Sequence, residues 1–197
     1  SPVQKKGEKP FRYNWQTPIL LSSHNQEILY MGSNFLHRSM NQGQTWTAIS
    51  PDLTQGAKEG NVAFGTIAAI SESPLQFGLL YTGSDDGLVH VSKDGGATWN
   101  IISGNLPQNR WISRVVASAH KKERVYVTLN GYRNDDFTTY VYMSDDFGQT
   151  WINIATNLPT SPVNVLVEDN VNEDVLYLGT DNGVYVSLNK GSLWNDF

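Results

Sequence analysis

The stretch Ser144-Asp145-Asp146-Phe147-Gly148-Gln149-Thr150-Trp151 decides the fold, because the chain writes nearly the same eight letters four times. The other copies are Ser39-Met40-Asn41-Gln42-Gly43-Gln44-Thr45-Trp46, Ser92-Lys93-Asp94-Gly95-Gly96-Ala97-Thr98-Trp99 and Ser187-Leu188-Asn189-Lys190-Gly191-Ser192-Leu193-Trp194. Their serines lie 53, 52 and 43 residues apart. Repeats of that period mark arrays of small supersecondary units, none of which buries its apolar face alone.

Each copy sits in a larger repeated unit. Upstream runs an apolar segment built around a tyrosine: Ile28–Ser33, Leu79–Ser84, Arg124–Leu129 and Val175–Thr180. A turn follows at Asn34, at Asp85-Asp86-Gly87, across a longer insert at Asn130–Thr138, and at Asp181-Asn182-Gly183. Asp-Gly and Asn-Gly tolerate the positive φ that tight hairpins need. A second apolar segment then enters the motif, whose tryptophan is expected to open another strand: Trp46–Ile49, Trp99–Ile102, Trp151–Ile154 and Trp194–Phe197. One more β-rich run precedes each unit, at Ile19–Ser22, Thr66–Ile70, Ser113–Ala117 and Val163–Val167. These runs are too short for helices and rich in Val, Ile, Tyr and Thr. The expectation is an all-β chain of four-stranded antiparallel sheets, the blades of a β-propeller, at about 18–50, 64–103, 112–155 and 162–197.

Composition removes several function classes. The 197 residues are 39% hydrophobic with a formal charge of −5, and there is no Lys or Arg run to form a nucleic-acid footprint. No stretch approaches the length of a membrane-spanning helix, and no cationic-then-apolar leader begins at Ser1. Cysteine is absent, which excludes disulfides, a thiol nucleophile and cysteine zinc sites. His24, His37, His90 and His120 have no metal-ligand spacing, and no dense Asp-x-Asp-x-Asp loop offers calcium its six to eight oxygens. Neither metal nor cofactor is expected.

The motif resembles the Asp-box, or BNR repeat, of sialidases, xyloglucanase-type glycoside hydrolases, sortilin-like receptors and many bacterial exported proteins. Stretches such as Phe11–Pro18, Thr45–Leu53, Thr66–Pro74 and Gly131–Phe137 resemble the large bacterial proteins labelled "glycosyl hydrolase, BNR repeat". Two boxes depart from the pattern, with Asn41 and Asn189 at the Asp position and Leu193 at the Thr position. The resemblance implies an extracytoplasmic propeller in which the box is a structural turn. Its carboxamide or carboxylate (Asn41, Asp94, Asp146, Asn189) would bond its own turn, and its indole (Trp46, Trp99, Trp151, Trp194) would pack near a blade edge.

A box between the third and fourth strands leaves the other face to the strand-two-to-three loops and the links between blades. The resemblance places ligand or active sites on that face, and loops on rigid scaffolds often carry function. The ligand-binding candidates there are Arg12, Trp15, Arg110, Trp111, Arg133, Asp135 and Asp136, with Tyr13, Gln16, Lys58, Glu59, Asn61, Asn109, Arg114, Asp85, Asp86, Tyr132, Asp181 and Asn182 around them. Aromatics, arginines and carboxylates together suit a glycan or a protein ligand. The insert at Asn130–Thr138 breaks the repeat, and such departures often map to a binding face.

Two function classes remain. One is ligand binding or scaffolding. The other is part of a glycoside hydrolase, for which Asp86 and Asp136 are the catalytic candidates, subject to the carboxyl spacing that hydrolysis demands. The early Arg-Ile-Pro signature of sialidases is missing. Four units of about 50 residues nearly fill the chain, the last one ending at Trp194–Phe197. A segment of a larger propeller is therefore expected in preference to a closed four-bladed ring. Its partners would be the remaining blades or another copy meeting the open blade edges.

Overall fold

The computed structural model describes residues 1–197 apart from Lys5, Glu8, Lys9 and Asn61. Sixteen strands form four antiparallel sheets. The first holds β1 (Ile19–Leu21), β2 (Leu29–Gly32), β3 (Leu36–Ser39) and β4 (Thr47–Ala48). The second holds β5 (Ile67–Glu72), β6 (Leu80–Ser84), β7 (Val89–Ser92) and β8 (Asn100–Ile101). The third holds β9 (Trp111–Ala117), β10 (Val125–Asn130), β11 (Tyr140–Ser144) and β12 (Ile152–Asn153). The fourth holds β13 (Val163–Glu168), β14 (Leu176–Thr180), β15 (Val184–Ser187) and β16 (Asn195–Asp196). Each sheet is an up-and-down meander in chain order, the sheet of a propeller blade. Among the described residues the single helical turn is a 3-10 turn at Tyr132–Asn134, inside the insert between β10 and β11.

All four motifs close the third hairpin of a blade by the same bonds. The serine hydroxyl donates to the Asn or Asp side chain two residues on, at 3.0, 2.8, 2.7 and 2.9 Å. It also accepts the glycine N–H at 2.8 Å in every copy. The same Asn or Asp oxygen takes the N–H four residues on at 2.9 Å, Thr45, Thr98 and Thr150 in three copies and Leu193 in the fourth. Asn therefore replaces Asp without loss of the turn, because the bonds need only an acceptor oxygen at that position, which carboxamide and carboxylate both supply. Two consecutive residues are left-handed in each turn, such as Phe147 (φ 62°) before Gly148 (φ 86°).

The tryptophans differ from the sequence expectation. The fourth strands are two residues long and begin one residue after each tryptophan, and in the last three blades the indole reaches across to the preceding blade, whereas Trp46 bonds Gly43 of its own motif at 3.0 Å. Trp99 donates to the carbonyl of Ile49 at 3.0 Å, Trp151 to Ile102 at 2.7 Å and Trp194 to Ile154 at 2.7 Å. The motif glycine of the later blade lies on the same isoleucine: a Cβ on Gly148 would come within 2.4 Å of Ile102, and one on Gly191 within 2.7 Å of Ile154. A motif that looks local thus fastens one blade to the next.

Apolar burial fills the same three interfaces. Tyr30, Leu36, Ile67 and Leu80 join blades one and two. Tyr81, Val89, Ile112 and Val115 join two and three, and Tyr126, Val141, Val163 and Leu166 join three and four. Polar contacts alternate. Tyr30 donates to Glu72 at 2.9 Å, and Ser22 donates to the same carboxylate at 2.6 Å. Tyr126 donates to Glu168 at 3.0 Å and Ser118 to Glu168 at 2.8 Å. His24 and His120 bond the backbone carbonyls of Ser73 and Asp169. Each member of the first network lies 96 residues before its counterpart in the second. Between blades two and three the glutamate position holds Ala117, and the buried Tyr81 hydroxyl finds no hydrogen-bond partner among the described residues. The structural unit is therefore a pair of blades, repeated once.

The ring stays open. Blade packing runs from the first sheet to the fourth, and among the described residues no comparable strand packing joins the fourth back to the first. Phe11–Trp15 forms no strand; its ring at Phe11 packs on Phe35 and His37.

Candidate functional site

The motif turns lie at one end of the blades. The insert and the inter-blade links meet at the other, around the starts of the inner strands β5, β9 and β13. There a groove of about 720 Å³ is lined by Gln16, Trp111, Arg114, Tyr132, Arg133 and Asp181, among others. A second hollow of about 500 Å³ adjoins it across Trp111 and Arg133, with Phe64, Val62 and Lys58 on its far wall.

The insert takes its shape from a few contacts. Gly131 and Tyr132 start the 3-10 turn, and Asp135 ends it in a left-handed conformation at φ 54°. Asp136 then accepts from Arg110 Nε at 2.7 Å, from the Tyr140 hydroxyl at 2.8 Å and from the Thr138 N–H at 3.1 Å. Burial opposes ionisation of Asp136, but the bonds from Arg110, Thr138 and Tyr140 outweigh it and hold the carboxyl well below the usual range. With the loop fixed, Arg133 lays its guanidinium over Trp111, 4.1 Å from the ring centre. Tyr132 and Phe137 pack edge to face beside it.

The groove holds two arginines without an acid. Among the described residues neither Arg133 nor Arg114 has a carboxylate within ion-pair distance, and Arg114 bonds only the carbonyl of Ser113, at 3.4 Å. Both are exposed. The one carboxylate in the lining, Asp181, accepts from Asn164 at 2.7 Å, and Asn164 in turn accepts from Asn130 at 3.1 Å. The lining therefore carries a net positive charge on a chain whose formal charge is −5.

The other sequence candidates are placed as follows. Arg12 straps the N-terminal segment down, reaching Asp52 and Thr54 at 2.8 and 2.9 Å and the Gly65 carbonyl at 3.0 Å. Trp15 is 75% exposed and lines neither hollow. Asp86 is 1% exposed. Its carboxylate accepts from the Ser84 hydroxyl at 2.5 Å and from the Gln55 N–H at 2.7 Å. Asp85 is likewise buried, accepting from the Thr66 N–H and hydroxyl at 2.9 and 2.7 Å; burial raises its pKa. Asn61 lies outside the described residues. Trp111, Arg133, Arg114, Tyr132 and Asp181 come together, whereas Arg12, Trp15 and Asp86 stand apart from them. Asn130 entered the sequence reading only as the start of the insert, and Asn164 was not singled out by it. Asn164 sits at the second position of an inner strand among apolar neighbours, and that misplaced amide was the available signal. Among the described residues no group of three or more His, Asp or Glu could hold a metal ion, and no helix is long and apolar enough to cross a membrane.

The four meandering sheets are matched as a whole by a family model, the DUF6242 beta propeller domain, over residues 20–196. The chain belongs to that family. No curated protein matches the sequence of this DUF6242 propeller domain. Among solved structures it is similar in fold to an ancestral GH74 enzyme, at 20% identity and a TM-score of 0.69, over 96% of this chain and 25% of that one. It is similar also to the GH74 xyloglucanase from Xanthomonas campestris, at 18% identity and a TM-score of 0.70, over 95% of this chain and 32% of that one. YCF48 bound to D1 peptide matches at 15% identity and a TM-score of 0.61, over 99% of this chain and 55% of that one. The DUF6242 domain thus spans about a quarter to a third of the GH74 enzymes, and these likenesses establish the fold.

Proposed function

We propose that this propeller domain binds a glycan bearing carboxylate groups, and does so without cleaving it. The observation that carries the reading is the pair of acid-free arginines, Arg114 and Arg133, on one groove with Trp111 and Tyr132. A guanidinium resting over an indole still has N–H groups to give a carboxylate, and such bonds are geometrically selective. Tyr132, 62% exposed, offers an apolar surface to a sugar ring. The Asn130–Asn164–Asp181 ladder supplies amide and carboxylate groups for hydroxyls. YCF48 bound to D1 peptide shares the fold and holds a peptide, so ligand binding has a precedent in this architecture. The motif turns support kinship with the Asp-box proteins, and with it an extracytoplasmic location.

Glycoside hydrolysis is the second reading, favoured by the GH74 enzymes that share the fold. Hydrolysis needs two available carboxyls flanking the scissile bond. Asp86 is buried beneath Ser84 and Gln55, and Asp136 is held by Arg110 and Tyr140, so both serve the scaffold in this account. A glycan array comparing uronate-rich with neutral oligosaccharides, followed by a reducing-end assay on every ligand found, tests the proposal. Uronate binding without product is expected; preference for neutral glycans, or release of reducing ends, contradicts it.

A further inference from the structure

The hollow of about 500 Å³ beside the groove shares Trp111 and Arg133 with it. Lys58, Val62 and Phe64, from the link between blades one and two, supply much of the remaining lining. Lys58 lays its ammonium over the Phe64 ring, 4.0 Å from the centre, much as Arg133 lies over Trp111 at 4.1 Å. The hollow is therefore flanked by two cations, each resting on an aromatic face. Among the described residues neither has a carboxylate within ion-pair distance. The one acid in the lining, Asp85, is buried and already accepts from the Thr66 N–H and hydroxyl.

The scaffold holds these cations in place. Gln55, three residues before Lys58, gives its N–H to the Asp86 carboxylate and its side-chain amide to the Asp86 carbonyl, both at 2.7 Å. The Gly65 carbonyl, next after Phe64, accepts from Arg12 Nε at 3.0 Å. A Cβ on Gly65 would come within 2.1 Å of the Gly56 carbonyl oxygen, so the link is pinched shut at its base. Asp86 and Arg12 thus position the link that carries Lys58. Arg114, in the groove, owes its direction to a bulge. One residue is inserted near the start of each of β5, β9 and β13: Ala68, Ser113 and Asn164 fall between paired neighbours, and all three line the groove. Ile112 and Val115, on either side of Ser113 and Arg114, are both buried. In a regular strand Arg114 would share a face with Ile112 and enter the blade interface. Ala69 and Val165 hold the equivalent positions in β5 and β13, so Arg114 is the one cation the three bulges present.

Resting on the glycan reading above, we infer that groove and hollow are one cleft for successive uronate residues of a linear chain, with Arg114 and Arg133 on one carboxylate and Lys58 on that of a residue further along. A lone uronate or a charged chain end needs one acid-free cation site. Two hollows that share a wall, each with a cation of its own, complement a polymer charged at every residue. Arg133 stands at the shared wall, so the chain passes it in going from one hollow to the other.

The test is calorimetric titration of galacturonate oligomers, from monomer to hexamer, into the wild-type chain and into Lys58→Ala and Lys58→Arg. Lys58 is exposed, so both variants keep the fold. Wild-type affinity should climb with length and level off once both hollows are filled. Lys58→Ala should weaken the hexamer about 10-fold and leave the shortest oligomer that binds unchanged. Lys58→Arg should restore the affinity for the hexamer. Hexamer binding unaffected by Lys58→Ala, an equal loss at every length, or a wild-type affinity flat with length overturns the inference and leaves the glycan reading of the groove standing. Displacement of the hexamer by a single-stranded oligothymidylate at equal potency would mark a general polyanion site and also overturns it. No binding at any length defeats the glycan reading, and this inference with it.

Discussion

Arg110 and Asp136 form a 2.7 Å ion pair that ties the segment before β9 to the insert after β10. It sets the loop that places Arg133 over Trp111. Asp136→Asn removes the charge and weakens three bonds at once, including those from Tyr140 and Thr138. We expect a loss of about 1–2 kcal/mol in chemical denaturation, together with a weaker Trp111–Arg133 contact. The check is protease sensitivity confined to Asn130–Thr138. An unchanged cleavage pattern would remove the pair from its positioning role.

His90 sets an acid limit on stability. It lies buried in β7, and its Nδ1 has no hydrogen-bond partner among the described residues. Burial lowers its pKa from 6.5 to about 4. The unfolded chain therefore binds the proton first as pH falls, and stability drops between about 6.5 and 4 by about 3 kcal/mol, then levels for this group. Asp94 and Asp146, held near pKa 2 first by the hydroxyls of Thr98 and Thr150, lose their contribution only below the ordinary aspartate range. His90→Leu should flatten the stability profile between pH 6.5 and 4. A slope in that window identical to wild type would contradict the assignment.

Tyr81 and Tyr126 predict opposite outcomes for the same substitution. Tyr81 buries a hydroxyl with no partner among the described residues, so Tyr81→Phe should stabilise by about 1 kcal/mol. Tyr126→Phe leaves Glu168 short of a donor and should cost about 1–3 kcal/mol. Paired thermal melts measure both. Equal effects of one sign would show that the alternation between interfaces has no energetic weight.

The turn at Ser144 offers a test of the motif itself. Ser144→Ala strands the buried Gly148 N–H and removes a donor to Asp146, and it should cost about 1–3 kcal/mol. Gln42→Gly, at a non-glycine residue with φ 55°, should gain up to about 1 kcal/mol by relieving a left-handed backbone. Urea titrations at constant m-value resolve both changes.

Much of this architecture was legible in the sequence. The repeated Tyr segments, the turns after them and the four motifs located the hairpins from the second to the fourth strand of each blade, because tight turns and alternating burial are written in neighbouring residues. The motif's Asn-for-Asp tolerance was also readable, since it rests on bonds inside eight residues. The reach of Trp151 to Ile102 was not readable, because it joins positions 49 residues apart through a relation between blades. For the same reason sequence grouped Arg12 and Trp15 with Trp111: all lie at or before the first strand of a blade, and only packing separates the strap at Asp52 from the groove. Asp86 and Asp136 looked like free carboxylates until their partners, Gln55 and Arg110, were brought in from 31 and 26 residues away.

The central claim is recognition of a carboxylate-bearing glycan at the groove of Trp111, Arg114 and Arg133. The most direct measurement is calorimetric titration of oligogalacturonate into the wild-type chain and into the Arg114→Ala, Arg133→Ala double variant. Each lost charge-assisted contact is worth about 1.5–3 kcal/mol, so the double variant should bind at least 100-fold more weakly. Wild-type binding should also weaken as salt rises. Equal affinity in the two proteins, or no binding to the wild type, would contradict the account.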